Sequence, residues 1–176
     1  MNTFDAVFKK TLSEEGGYTD NPKDRGNWTG GVIGRGELKG TKFGISAASF
    51  PYLDIKNLDV IQAKQIYKAD YWDKCKCDLM PWFVALNVFD MAVNSGVKAS
   101  ITTLQHVLGV DVDGIIGNQT IKAAHDVEQV EFNGDFFDCR LEYVKHSKGW
   151  LDFGLGWKNR FKRILADANS ASMMVA

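Results

Sequence analysis

Residues 3–15 alternate with a helical period. Phe4, Val7, Phe8 and Leu12 recur at steps of three and four. At about 100° per residue they share one stripe, which predicts an amphipathic helix over 3–15. Gly16-Gly17 supplies its stop. The same period returns over 59–72, with Ile61, Ala63, Ile66, Tyr67, Tyr71 and Trp72 as the apolar set. Pro81 suits the first turn of a further helix, running through Trp82, Leu86, Phe89, Ala92 and Val93 to Gly96. Helices are also predicted over 98–108 (capped by Gly109), from Asn118 through Ile121 and Ala124, and over 135–148 and 155–168. Gly134, Gly149, Gly154 and Gly156 read as limits. The tail from Asn169 is small and polar, and reads as frayed.

Residues 16–44 break the period. Six glycines from Gly26 to Gly40 punctuate short segments such as Val32-Ile33, with Pro22 before them. This composition predicts loops and a small irregular hairpin. The pattern as a whole is a mainly α fold with one glycine-rich, β-like insertion between its first two helices.

Composition narrows the chemistry. The 176 residues suit one domain, with room for two lobes. Net charge is −1, so no basic field draws the chain to nucleic acid. Three cysteines cannot all pair with one another, which fits a reducing site of synthesis rather than a disulfide framework. Cys75-x-Cys77 and the three scattered histidines lack metal-ligand spacing, and no Gly-Lys-Ser/Thr phosphate loop occurs. No metal and no cofactor are expected. The first residues show neither a signal peptide nor a membrane-spanning run, so stable membrane insertion is not expected either. A monomer is the default.

Glu15 is the leading chemical candidate. It falls near the centre of the apolar stripe, whereas Glu14 lies about a quarter-turn away. Lost hydration and the unpaired carbonyls at the helix end both raise a carboxyl pKa there. A protonated acid near neutral pH can serve as a general acid. The alternative is a surface residue in a frayed last turn. Asp24 follows beyond the turn at Asn21-Pro22, and Thr41 follows the glycine-rich insertion. Glycosidic hydrolysis needs an acid and a second carboxylate, and a hydroxyl can hold the water in line. Asp24 and Thr41 read equally as turn residues.

The ordered series Glu15-Gly16-Gly17-Tyr18, Asp24 and Gly40-Thr41-Lys42-Phe43-Gly44-Ile45 resembles the phage-type muramidases of glycoside hydrolase family 108. The resemblance continues through Tyr67, Tyr71-Trp72-Asp73, Asp90-Met91-Ala92-Val93-Asn94-Ser95-Gly96 and Gly156-Trp157 with Arg160. Leu104-Gln105, Leu108-Gly109-Val110 and Asp113-Gly114-Ile115-Ile116-Gly117, with Thr120, resemble the peptidoglycan-binding segment fused to such enzymes. It implies a lysozyme-like helical fold, with residues 1–96 catalytic and 97–176 a peptidoglycan-binding-like part, packed as one unit.

Residue by residue, it implies Glu15 as general acid, with Asp24 and Thr41 in support. The insertion Gly30–Lys39 separates two candidate threonines. Thr41 keeps the step into Phe43-Gly44-Ile45, while Thr29 keeps the short distance to Asp24; Thr41 is preferred. Tyr18 and Trp28 are candidate substrate contacts, Trp28 by stacking on a sugar ring or else by packing its loop. Asp90 and Asn94 share one helix face and either bind glycan or cap buried structure. Residues 113–118 either touch murein or simply start a helix. The stripe Lys158, Arg160, Lys162 and Arg163 beside Trp157, Phe161, Ile164 and Leu165 either approaches the envelope or has a solvated back. The implied partner is the peptidoglycan glycan strand, and the implied route is synthesis in a bacterial cytoplasm followed by release through a holin. A non-catalytic wall-binding module and a lytic transglycosylase are the competing readings.

Overall fold

A computed structural model describes residues 3–12, 17–147 and 149–170. Two compact units emerge. Asp5–Lys68 form the smaller; the chain after Lys68, joined by the start of the first helix, forms the larger.

In the smaller unit, α1 (Thr3–Leu12) buries Val7 and Phe8, as its stripe predicts. Phe8 meets Tyr67 edge-on at 5.6 Å. Helix α2 (Val60–Tyr67) opens on a full capping box, in which Asp59 and Gln62 satisfy each other's backbone N–H groups. The helical path continues as a π-turn over Lys68–Trp72. Between α1 and α2 lies an irregular region with one short hairpin, β1 (Thr41–Lys42) against β2 (Ile45–Ser46). Its two loop residues, Phe43 and Gly44, both have positive φ, 52° and 72°. That is the requirement of a type I′ turn, and glycine meets it without cost at the second position. The Tyr67 hydroxyl donates to the Phe43 carbonyl at 2.8 Å and holds the less favoured residue in place.

The larger unit is helical: α3 (Trp82–Ser95), α4 (Val97–Val107), α5 (Asn118–Asp126), α6 (Gln129–Lys145) and α7 (Trp150–Asn169). Phe83 through Ala92 are buried without a break, so α3 is the central helix and α4, α6 and α7 pack on it. Full burial of a residue such as Phe89 stabilises by about 1.5–3 kcal/mol. Phe4 and Trp72 meet Phe89 at 6.0 and 5.5 Å.

Some boundaries differ from the sequence expectation. Asn118 is the first residue of α5 rather than its cap. Helix α6 starts at Gln129, so Gly134 lies inside it; Phe132 and Phe136 carry the buried stripe past that glycine. Gly154 lies inside α7 for a steric reason. A Cβ there would come 2.7 Å from the Trp150 ring. Gly96, where the sequence reading divides catalytic from binding part, is the joint between α3 and α4 within the larger unit.

Candidate active site

Asp24, Trp28 and Thr41 sit on one hydrogen-bonded loop framework in the smaller unit. Asp24 is exposed and caps a 3-10 turn over Arg25–Asn27, its Oδ1 accepting from the Gly26 N–H at 2.8 Å. That leaves the second carboxylate oxygen, Oδ2, outside the capping bond. Asn27 closes the turn with its N–H on the Asp24 carbonyl at 3.2 Å. It is fully buried. Its side-chain amide donates to the Asn21 carbonyl at 3.1 Å, which fixes the amide orientation. Oδ1 therefore faces Thr41 and accepts its hydroxyl proton at 2.7 Å. The Asn27 carbonyl accepts from the Lys39 and Gly40 N–H groups.

Thr41 is also gripped by its backbone, in a two-way bridge with Thr19 at 2.8 and 2.9 Å. Thr29 is used differently. Its hydroxyl accepts the Glu37 N–H at 2.9 Å and closes the insertion on itself. The insertion has Trp28 bridged to Leu38 across its base, and Val32 and Ile33 exposed at its far end. The Trp28 indole N–H donates to the Pro22 carbonyl at 2.9 Å, so the ring's edge is anchored and the residue stays half-buried. Tyr18 packs over Gly40, immediately before Thr41. Partial burial, then Asp20 and Asp54, push its phenol pKa upward. Glu15 lies outside the described residues.

A hydroxyl whose proton is committed to Asn27 offers its oxygen as an acceptor, and a carboxylate stands one 3-10 turn away along the chain. Together these can orient a water molecule and receive its proton. Residues 8–96 match the sequence profile of Glycosyl hydrolase 108.

The chain belongs to the glycosyl hydrolase 108 family. It is a glycoside hydrolase of lysozyme-like, peptidoglycan-hydrolysing type. The solved structure of SagA from Brucella abortus is similar, with a TM-score of 0.81 and 30% identity. The likeness covers 97% of this chain and 98% of SagA. No curated protein sequence matches this chain significantly.

In this family member, Asp90 does not have the glycan-facing surface position considered from sequence. It is fully buried in the larger unit, where the Arg140 Nη2 approaches Oδ2 at 2.6 Å and the Arg160 Nη2 approaches Oδ1 at 2.8 Å. Burial pushes its pKa up, but Arg140 and then Arg160 outweigh it and hold the carboxyl below its usual value. Arg140 in turn stacks on Phe161, 3.8 Å from the ring centre. An aspartate enclosed in this way has no oxygen left for a sugar. The basic stripe of α7 is thereby explained in part: Arg160, Phe161 and Ile164 turn inward. Asn94 is half-buried and its Oδ1 accepts from Ser95 at 3.2 Å.

The 113–117 turn is organised from inside. Buried Gln105 donates to Asp113 and to the Ile115 carbonyl, and accepts from the Gly114 N–H at 2.8 Å. Two residues central to these arrangements, Asn27 and Arg140, carry no sequence signal. A buried Asn in a glycine-rich loop looks like any turn residue, and Arg140 lies fifty positions from its partner.

Proposed function

We propose that this chain is an N-acetylmuramidase that hydrolyses the β-1,4 bond between N-acetylmuramic acid and N-acetylglucosamine. Glu15 protonates the leaving oxygen. Asp24 takes a proton from water on the opposite side of the sugar ring, and the Thr41 oxygen accepts a hydrogen bond from that water's other hydrogen and holds it in line. Tyr18 and Trp28 contact the glycan. No cofactor takes part. The observation that carries this reading is the framework in which Asn27 joins the Asp24 carbonyl to the Thr41 hydroxyl, in a member of a glycoside hydrolase family.

The biological role we infer is that of an endolysin, made in a bacterial cytoplasm and passed to the wall through a holin, working as a monomer. Among the described residues no helix is long and apolar enough to cross a membrane. We assign cleavage to residues 1–96 and wall binding to 97–176.

The test compares wild type with Glu15→Gln on purified murein. Wild type is expected to release fragments ending in reducing muramic acid, and the variant to release none. Equal clearing by both would remove Glu15 from the reaction. Anhydro-muramic ends would identify a lytic transglycosylase instead. The anomer formed first reports the geometry: inversion is expected if the two carboxyls stand about 6.5–9.5 Å apart, retention if about 5–5.5 Å.

A further inference from the structure

Tyr52 stands almost wholly in solvent, at 98% exposure. Its ring faces are therefore free to stack. It borders a cavity of about 380 Å³ within the smaller unit, which Tyr18 also lines. Leu38 and Leu53 add apolar surface, while Asp54 and Lys56 are exposed at its edge.

The cavity is built rather than incidental. Lys39 donates to the Pro51 carbonyl at 2.8 Å, and Lys42 donates to the Lys56 carbonyl at 3.0 Å. These two bonds tie segment 51–56 to the end of the insertion and to β1. Asp54 is held by Asn57, whose side-chain amide and backbone N–H both donate to it. Those bonds, the side-chain one first, keep its carboxyl below the usual range, so it is a fixed acceptor. Tyr18 links the cavity to the candidate active site. Its ring lies so close over Gly40 that a Cβ there would sit 2.7 Å away, and Gly40 directly precedes Thr41.

The lining selects an amphipathic, uncharged ligand. An apolar molecule would strip water from Asp54 and Lys56 without replacing its hydrogen bonds. A polyanion would meet Asp54 and the nearby Asp20 as well as Lys39 and Lys56, a mixed set that favours no single sign of charge. A pyranose matches both halves: its C–H face lies against an aromatic ring and its hydroxyls reach a carboxylate and an ammonium.

We propose that this cavity is a glycan subsite, separate from the bond-cleaving residues. In it Tyr52 stacks on an N-acetylated sugar ring, Tyr18 contributes a second aromatic surface to the lining, and Asp54 accepts a hydroxyl or amide hydrogen from the sugar. For the identity of its ligand this rests on the glycan-cleaving reading above.

The probe is N-acetylglucosamine tetrasaccharide, titrated against the full chain carrying Glu15→Gln so that nothing is cut. Adding Tyr52→Ala should weaken binding about ten-fold, and Tyr52→Phe should restore it, because the ring and not the hydroxyl stacks. The thermal midpoint should not move, since the side chain packs on nothing. In the otherwise wild-type chain, Tyr52→Ala should raise the KM for murein. Unchanged tetrasaccharide affinity and KM in Tyr52→Ala would overturn the subsite while leaving cleavage intact. Tyr52-dependent binding by a chain that cuts no murein would keep the subsite and remove the cleavage reading.

Discussion

The Thr41 hydroxyl donates to Asn27 Oδ1 at 2.7 Å, and the orientation of that amide is set from its other end by the Asn21 carbonyl at 3.1 Å. The proton of Thr41 therefore has one destination, and its oxygen is left to accept. In the proposed reaction this oxygen holds the attacking water. Thr41→Ser keeps this arrangement and should retain most activity. Thr41→Val keeps the shape and removes the hydroxyl. It should lower kcat on murein by about 10²-fold, the usual scale of one positioned proton-handling group. The unpaired Asn27 oxygen should cost about 1–3 kcal/mol in urea unfolding. An active Thr41→Val enzyme would assign Thr41 to the loop's stability alone.

Asp24 has one task in the fold and a second, separable one in the proposed reaction. It caps the 3-10 turn through Oδ1, which an asparagine can also do. It is proposed to act as a base, which an asparagine cannot do. Asp24→Asn should therefore leave the unfolding free energy within about 0.5 kcal/mol of wild type, yet reduce murein hydrolysis by about 10²–10⁴-fold. Loss of stability and activity in parallel would reduce Asp24 to a cap.

The helices were legible because burial writes a period into the chain. Phe4, Val7 and Phe8 lie on one stripe and are buried. The glycines misled where they answered to side chains rather than to backbone. Gly154 reads as a helix limit, but it makes room for Trp150 one turn earlier. The order Asp24, insertion, Thr41 was legible through its turn residues and its resemblance to a family. Thr41 is preferred over Thr29 for its step into Phe43-Gly44-Ile45; the partners of the two hydroxyls, Asn27 for one and the Glu37 N–H for the other, leave no trace in a pair of glycine-rich loops. Asp90 shows the opposite limit. Its spacing to Asn94 gives the helix face, but two arginines from α6 and α7 decide what that face meets. Such long-range pairing leaves no local pattern.

Gly40 should be intolerant of a side chain. Its φ is +83°, and a Cβ would fall 2.5 Å from the Thr19 carbonyl oxygen and 2.7 Å from the Tyr18 ring. The first obstacle is backbone that is itself bridged to Thr41, so it cannot step aside without moving the proposed water-holding residue. Gly40→Ala should destabilise by more than about 1 kcal/mol, the least expected from forcing alanine into positive φ. It should also lower kcat. Unfolding curves and murein turnover, measured together, check both. A variant as stable and active as wild type would show that the packing of Tyr18 and Thr19 around Gly40 is loose.

The Asp90 triad makes stability depend on pH with a definite sign. Two arginines hold the folded carboxyl below its ordinary value despite complete burial. The folded state thus favours the ionised form more than the unfolded chain does. Its contribution is fully present above the unfolded aspartate pKa, about 3.9, and is lost as pH falls from there through the lower folded value. Asp90→Asn leaves Arg140 and Arg160 facing each other without a counter-charge. It should cost about 3–5 kcal/mol at neutral pH, the range for breaking a buried pair from one side. The deficit should shrink in acid, where wild type loses the same charge. Urea unfolding of both proteins at neutral and acidic pH reads this directly. Parallel curves at a constant separation would mean that packing, and not ionisation, is what Asp90 contributes.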